Sequence, residues 1–339
     1  MSRPPAAGRP ARIAITMGDP AGVGPEIICR ALAEMPPGER AAVIVAGDPR
    51  VMARAAALVG ADLRFAEESG GEPGAVAIAP VPVDGLEELR DGAVSAAGGD
   101  AAYRCVVRAA ELQREGASAA MVTAPLNKSA MHAAGHRFEG HTELLAHLCG
   151  GLPSFMLLAS ERLSVIHVST HVSLRGATER GTTERVLATI RTGHAHMREI
   201  GLERPRIAVA GLNPHSGEGG LFGTEEIERI TPAIEAARSE GIAVTGPVPG
   251  DTVFYRAVRG EFDLVVAQYH DQGHIPAKLI AFDTTVNVTL GLPIRRVSVD
   301  HGTAFDIAWK GRADHTNMKA AIAYGRRMAA RPASPAAGS

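Results

Sequence analysis

The chain has 339 residues, a formal net charge of -2 and only 4% aromatic residues. This length allows one large or two medium domains, and neither the charge nor the aromatic content favours a nucleic-acid partner. The three cysteines, Cys29, Cys105 and Cys149, have no CxxC spacing. We therefore expect neither disulfides nor a thiolate metal site, as in a cytoplasmic protein.

Neither end of the chain predicts secretion or a membrane anchor. Residues 1–10 are rich in proline and lack the apolar core of a signal peptide, and no apolar run approaches the length of a membrane span. Residues 332–339 are rich in alanine, proline, glycine and serine. We expect both ends to be flexible tails and the protein to act without a membrane.

Short apolar runs alternate with helical patterns along the chain. Residues 12–16 and 42–46 predict strands, with a helix beginning at Pro25 between them. This order predicts βαβ units and a largely parallel sheet. Glycine-rich intervals at 67–74 and 91–99 predict loops. Later patterns predict helices at 100–116, 182–200 and 224–240, the last capped by Thr224, and strands at 119–123, 164–169, 206–210 and 264–267.

The first polar cluster, Gly18 to Glu26, joins a predicted strand to a predicted helix. It is neither a Walker loop nor a complete Rossmann fingerprint. We favour a structural turn, with phosphate contact at the helix N-terminus as the alternative. A second candidate anion site is His141 and Thr142, which follow Gly140 at the start of a predicted helix. We interpret the other histidines nearby, His132, His136 and His147, as solvated.

Three strand-like runs are followed by histidines, namely His171, His215 and His270. Imidazoles at the ends of three strands can converge on one divalent cation. The equally weighted alternative is that these are ordinary surface or core histidines. We interpret His167 and His274 as structural or supporting residues.

The stretch Tyr269 to Lys278 places polar side chains after the buried run at 264–267, and its Gly273 and Pro276 predict a loop. Lys278 and Arg296 together offer two cations for an acidic substrate, although an ion pair is the simpler interpretation of a single arginine. Asp251 and Asp271 could orient a cation or a histidine, or cap a turn.

Several motifs taken together resemble the PdxA-type dehydrogenases, which look like divergent relatives of isocitrate and isopropylmalate dehydrogenases. The resemblance runs from Ile13 to about Met328 and rests on the segments at 16–26, 124–128, 140–143, 213–218, 269–273 and 300–304. It implies an isopropylmalate-dehydrogenase-like α/β/α sandwich of two lobes with an active-site cleft. We predict a first lobe at 11–128 and 290–331, on the cofactor side, and a second lobe at 129–289, with metal and dimer contacts.

The resemblance also implies the roles of individual residues. It implies one divalent metal (Zn, Mg, Co, Mn or Ni) bound by His171, His215 and His270, with the third of these, His270, supplied across a homodimer interface. For the substrate it implies His141, Thr142, Lys278, Asn287 and Arg296. A loop that resembles the adenine-side loop of isopropylmalate dehydrogenases implies NAD or NADP at His301, Gly302, Thr303, Ala304 and Asp306. Lys278, Asp251 and Asp271 are the candidate catalytic residues, and the choice of general base among them stays open.

The implied reaction is oxidation of the 3-hydroxyl of a 4-phosphorylated C4 hydroxy acid, followed by decarboxylation. The segments at 100–105, 274–279 and 305–309 are more similar to enzymes that act on 4-phospho-D-threonate or 4-phospho-D-erythronate. The alternative is 4-hydroxythreonine-4-phosphate dehydrogenase of pyridoxal phosphate (vitamin B6) biosynthesis. Glu139 departs from the proline that often precedes Gly-His-Thr. From the residues alone, a metal-dependent hydrolase and a non-catalytic anion-binding protein remain open.

Overall fold

A computed structural model describes residues 11–67 and 74–330 and divides them into two compact units. The first contains residues 11–152 and 292–330, and the second contains residues 153–291. The predicted lobe boundaries stay a prediction. Residues 68–73 of the predicted loop and both predicted tails lie outside the described residues.

The first unit is built on a parallel sheet. Its strands are β1 (Ile13–Thr16), β2 (Val43–Gly47), β3 (Phe65–Glu67), β4 (Val76–Pro80), β5 (Ala120–Thr123) and β12 (Arg296–Ser298), in the order β3-β4-β2-β1-β5-β12. All of the pairings between these neighbours are parallel. Its helices are α1 (Gly24–Ala33), α2 (Pro37–Arg40), α3 (Pro49–Leu58), α4 (Ala96–Arg114), α5 (Lys128–Ala133), α6 (His141–Leu148) and α12 (Thr316–Ala329).

Helices cover both faces of this sheet. Met121 of β5 packs in one cluster with Val106 and Ala109 of α4. The next residue, Val122, points to the opposite face, where its side chain lies against Gly325 of α12. The layering is therefore α/β/α.

The second unit has a mixed sheet. Its strands are β6 (Phe155–Ala159), β7 (Ser164–His167), β8 (Ile207–Ala210), β9 (Val244–Val248), β10 (Leu264–Ala267) and β11 (Val286–Leu290), in the order β11-β6-β7-β10-β8-β9. β6 is antiparallel to both of its neighbours in this unit, whereas β7, β10, β8 and β9 are parallel. The helices are α7 (Leu174–Arg180), α8 (Thr183–Glu199), α9 (Thr231–Ser239), α10 (Gly250–Val258) and α11 (His270–Ala281), and a π-helical turn at Glu226–Ile230 precedes α9.

The same layering holds in the second unit. Val165 and Val265 pack with α10 and α11 on one face. On the other face, Ile166 and Leu264 lie against Gly193 of α8. The predicted α/β sandwich is confirmed, and each of the predicted strands is present with ends that differ by at most two residues.

Three local predictions are wrong. The predicted loop at 91–99 is helical from Ala96, where α4 begins, because the Ser95 side chain caps the helix by accepting from Gly98 N–H. The stretch Tyr269 to Lys278 is not a loop, because α11 begins at His270 and continues through Pro276. Tertiary packing overrides the local signals, since Gly273 allows α11 to approach His167 closely and Ala277 is buried on the same helix. Thr224 is not the cap of the next helical segment, whose capping position is Glu225 without a side-chain cap.

Across the described residues, no helix is both long and apolar enough to cross a membrane.

Candidate active site

The three predicted metal ligands follow strands that are neighbours in the second unit. β10 pairs in parallel with β7 on one side and with β8 on the other. The carboxyl ends of the three strands therefore meet at one edge of the sheet, where open α/β sheets bind ligands. His171, His215 and His270 each follow one of these ends.

His171 and His270 lie side by side. Their ring centroids are 5.9 Å apart and the rings are tilted by 42°. Both line an open depression of about 500 Å³, together with Thr170, Ser173 and Asp271. The His270 Nδ1 lies 2.6 Å from the Asp271 carboxylate, which restrains the ring and leaves Nε2 as the candidate ligand atom.

His215 has a similar carboxylate partner. Its side chain is exposed, and Nδ1 lies 2.9 Å from Oε2 of Glu218. A histidine that binds a metal commonly donates its other ring N–H to a carboxylate or carbonyl group. The donor chemistry of His215 and His270 therefore fits a cation bound through Nε2.

The described chain does not by itself assemble a three-ligand site. Among residues 11–67 and 74–330, no three histidine, cysteine or acidic side chains are grouped closely enough to hold a metal ion. The structure brings His171 and His270 together and leaves His215 outside a three-ligand group. The predicted triad stays a prediction.

Two further histidines continue the row of rings into the core. His274 stacks on His270 with centroids 3.6 Å apart and an interplanar angle of 13°, and its Nδ1 lies 3.0 Å from the His270 carbonyl. His167 follows with a centroid 4.7 Å from that of His274. It is 1% exposed, and burial lowers its pKa to about 3. The His274 ring thus packs directly on His270, and the buried His167 ring packs against His274.

A buried arginine marks the candidate anion site of the first unit. Arg296 of β12 is 3% exposed, and its Nε donates to Thr123 Oγ1 over 3.0 Å. Burial lowers the pKa of Arg296 to about 9, and the nearby Glu143 partly opposes that shift. An arginine is a strong recognition element for a phosphate or carboxylate.

His141 belongs to the same site. It is the first residue of α6, after the predicted Gly140. Burial, and secondly the charge of Arg296, hold the pKa of His141 well below its usual range, so the ring stays neutral. The His141 Nε2 is shielded from solvent and has no hydrogen-bond partner within the described residues. Thr142 follows in the first turn of α6 and is half-buried.

Lys278 and Asn287, the other two predicted substrate residues, lie in the second unit. Lys278 is half-buried on α11, with Nζ 5.6 Å from the Phe282 ring centroid. Asn287 lies on β11, and its buried Oδ1 has no partner within the described segments. Asp251 and Asp271 are exposed residues in the first turns of α10 and α11.

The predicted cofactor loop, His301 to Asp306, packs on the glycine-rich turn after β1. The carbonyl of Thr303 accepts from Val23 N–H over 3.0 Å, and a Cβ on Gly22 would lie only 3.0 Å from Thr303. His301 and Gly302 are exposed, and a Cβ on Gly302 would meet nothing within 4 Å. Ala304 lies in the left-handed region at φ 43°.

Glu26 is an anchor for this loop that the sequence interpretation missed. Its buried carboxylate accepts from the backbone N–H groups of Trp309 and Gly311, and the Trp309 indole donates to the Pro20 carbonyl over 2.9 Å. The turn at 18–26 thus holds a neighbouring loop, which supports its structural interpretation. No sequence pattern indicates this contact, because Glu26 and Trp309 are far apart in the chain.

Comparison with known proteins agrees with the fold. The family model described as "Pyridoxal phosphate biosynthetic protein PdxA" matches residues 39–325. A D-threonate 4-phosphate dehydrogenase from Pectobacterium atrosepticum is 46% identical over 325 residues, 94% of this chain and 99% of the relative. A 4-hydroxythreonine-4-phosphate dehydrogenase from Geobacter metallireducens is 49% identical, over 94% of this chain and 95% of the relative.

The solved structures agree as well. The crystal structure of 4-hydroxythreonine-4-phosphate dehydrogenase from Klebsiella pneumoniae has a TM-score of 0.85 and 48% identity, and the match covers 94% of this chain and 99% of that one. The fold and the polar residues at its strand ends define an α/β enzyme. The chain belongs to the PdxA family, so the resemblance seen in its motifs is confirmed.

Proposed function

We propose that this protein is a dehydrogenase, dependent on a divalent metal and on NAD or NADP, that oxidises the 3-hydroxyl of a 4-phosphorylated C4 hydroxy acid, with decarboxylation following. The substrate we favour is 4-phospho-D-threonate or 4-phospho-D-erythronate. The observation that carries the proposal is the set of three histidines after neighbouring parallel strands, two with Nδ1 on a carboxylate. The names of relatives at 46–49% identity support the substrate class.

His171, His215 and His270 would hold the cation through ring nitrogens, which suit Zn, Co and Ni better than Mg. When bound, the cation supplies Lewis-acid stabilisation of the oxyanion that forms on the substrate, and the nicotinamide supplies the hydride acceptor. The loop from His301 to Asp306 would hold that cofactor, with open space beside Gly302.

Arg296 and His141 would bind the negative end of the substrate. The guanidinium provides a fixed positive charge, and the neutral imidazole leaves Nε2 available for a hydrogen bond. We assign substrate binding to Thr142, Lys278 and Asn287 as well. Each of these groups is fixed on a helix or strand of its own unit, which favours a defined position for the substrate atom that it binds.

Asp271 would keep the His270 ring in its binding orientation through the 2.6 Å contact. As the general base, the deprotonated amine of Lys278 would receive the hydroxyl proton. Asp251 is the alternative base, exposed at the start of α10. Replacing Lys278 by Met should lower kcat by a factor of about 100 or more if Lys278 moves that proton; replacing Asp251 by Asn tests the alternative in the same assay.

We further propose that a second copy of the chain completes the metal site. Ile275, Leu279 and Phe282 form a row on the α11 side of the unit and are 56%, 82% and 69% exposed. An apolar row of this kind marks an interaction surface, and α11 begins at His270, beside a ligand set that the described part of one chain leaves incomplete. A homodimer would bury this row and supply the missing imidazole.

Two phosphorylated acids test the substrate assignment. Purified protein with a divalent cation and NAD or NADP should produce reduced cofactor, read by absorbance, with 4-phospho-D-threonate and not with 4-hydroxy-L-threonine 4-phosphate. The reverse preference would place the protein in pyridoxal phosphate synthesis, the second candidate. A relative at 49% identity is named 4-hydroxythreonine-4-phosphate dehydrogenase, which supports this second candidate. The substrate class would be contradicted if neither of these acids nor 4-phospho-D-erythronate were turned over.

Mixed dimers test the shared site. In a refolded equal mixture of His171→Ala and His270→Ala chains, half of the dimers contain one chain of each kind. If His270 acts across the interface, each mixed dimer has one intact site, and the mixture should regain about a quarter of the wild-type activity. If His171 and His270 act within one chain, as their 5.9 Å spacing favours, a mixture of His171→Ala and His215→Ala regains activity instead. No regain in either mixture would contradict a shared site.

A further inference from the structure

The turn that carries His215 has an unusual backbone. Six successive residues, from His215 to Gly220, have positive φ values of 51°, 54°, 80°, 45°, 67° and 103°. Three of them, His215, Ser216 and Glu218, are not glycine. The left-handed conformation costs energy for residues with a Cβ. Such a run persists only where the surrounding structure holds it in place.

A buried carboxylate provides that hold. Glu226 is 2% exposed. Its Oε1 accepts from the backbone N–H groups of Leu212 over 2.8 Å and Asn213 over 2.7 Å, and its Oε2 accepts from Asn213 Nδ2 over 2.9 Å. Hydrogen bonds to an ionised carboxylate are stronger than those between neutral groups. Glu226 therefore fixes the two residues from which the left-handed turn begins.

The turn closes tightly around this carboxylate. A Cβ on Gly217 would lie 2.8 Å from Glu226 Oε2, and a Cβ on Gly223 would lie 2.5 Å from Asn213 Nδ2. Glu225 Oε2 also accepts from Asn213 Nδ2, over 2.7 Å. The amide of Asn213 is thus held between two carboxylates. There is no space for a side chain at Gly217 or Gly223.

Glu226 is also the first residue of the π-helical turn Glu226–Ile230. Single π-helical turns occur frequently at functional sites. Here the turn starts at the residue whose side chain enters the His215 turn, and it ends at the buried Ile230. The irregular helix and the left-handed turn are therefore joined through one carboxylate.

We propose that Glu226 is a positioning residue for His215. Its carboxylate keeps the turn left-handed, so that the His215 ring, with Nδ1 on Glu218, is oriented for a divalent cation before the cation arrives. This role rests on the proposed function, in which His215 is a metal ligand. Glu226 itself would not touch the cation, because its carboxylate is occupied by Leu212 and Asn213.

The substitution Glu226→Gln tests the role. The side chain keeps its shape, but one oxygen becomes an NH₂ group that must face either the Asn213 amide or the backbone N–H donors. The matched control is Glu228→Gln, the same change at an exposed position in the same π-helical turn. The probe is Co²⁺ alone, titrated into full-length, chelator-stripped protein in competition with a chromophoric chelator. The temperature is kept below the unfolding midpoint of every variant.

We expect Glu226→Gln to weaken Co²⁺ binding about 10- to 100-fold, the usual effect of losing a residue that orients a metal ligand. Glu228→Gln should bind as the wild type does. In a His215→Ala background, Glu226→Gln should produce no further loss, because Glu226 acts only through His215. Should Glu226→Gln prove too unstable to titrate, Glu226→Asp keeps the charge, draws the oxygens back and should weaken binding in the same His215-dependent way.

The outcomes separate the two proposals. Wild-type affinity in Glu226→Gln, or an equal loss with and without His215, would overturn the positioning role while the metal assignment stands. Unchanged affinity in His215→Ala would overturn the metal assignment itself, and this role of Glu226 with it.

Discussion

Gly273 offers the sharpest test of how the row of histidine rings is packed. A Cβ at this position would lie 2.2 Å from His167 Nε2 and 2.8 Å from a methyl group of Val165. The His167 ring cannot move easily, because it is 1% exposed, its Nδ1 lies 3.2 Å from the Met156 carbonyl and His274 packs beside it. The substitution Gly273→Ala should therefore force either the ring or α11 to shift.

The expected change in the free energy of unfolding for Gly273→Ala follows from two opposing effects. Overpacking a core costs roughly 1 to 3 kcal/mol, and a 2.2 Å approach to a rigid ring belongs at or above the upper end. Replacing glycine by alanine within a helix stabilises the folded protein by about 1 kcal/mol. We expect the free energy of unfolding to fall by roughly 2 kcal/mol.

Urea denaturation, followed by circular dichroism, measures this change. Gly38→Ala is the matched control, because Gly38 lies in α2 and its added Cβ would meet nothing within 4 Å. In a His167→Ala background most of the penalty should disappear. The reasoning is refuted if Gly273→Ala is as stable as the wild type, or if its effect is the same with and without the His167 ring.

Three further predictions concern charge and association. Burial raises the pKa of Asp19 from 3.8 to about 6. The protonated carboxyl therefore stabilises the folded protein below pH 4, and this stabilisation is lost as the pH rises through 6. Asp19→Asn should remove roughly 3 kcal/mol of this pH dependence, measured as the free energy of unfolding in urea from pH 4 to 7. Arg296→Met should raise KM for the phosphorylated acid about 10- to 100-fold. The control Arg295→Met should leave KM unchanged, because the Arg295 guanidinium donates to the Met328 carbonyl instead. Equal effects of the two substitutions would contradict the anion site. Leu279→Glu should convert a dimer to monomers in analytical ultracentrifugation, and an unchanged sedimentation coefficient would place the interface elsewhere.

The sequence predicts the α/β layers well, because buried strands such as 264–267 are short, apolar and bounded by turn residues. It also indicates that His171, His215 and His270 follow strands. That these strands are neighbours depends on the order β7-β10-β8 in the sheet, which local patterns do not encode.

The prediction failed where tertiary packing decides. Pro276 and Gly273 indicate a loop, yet α11 forms because the close approach of Gly273 to His167 and the burial of Ala277 favour the helix. The carboxylates of Glu26 and Glu226 were missed for the same reason. Their partners are backbone N–H groups brought close only by the fold, as Gly311 is to Glu26, and no residue pattern reveals such a partner. Glu218, three residues after His215, is a missed carboxylate that the sequence could have revealed, just as it indicated Asp271 beside His270.

The most direct test of the central claim is the yield of two products from 4-phospho-D-threonate. Chelator-stripped protein supplied with NAD or NADP should form neither reduced cofactor nor carbon dioxide, and adding back a divalent cation should restore both in equal amounts. Phosphate release without cofactor reduction, or cofactor reduction that persists in the stripped protein, would contradict the account.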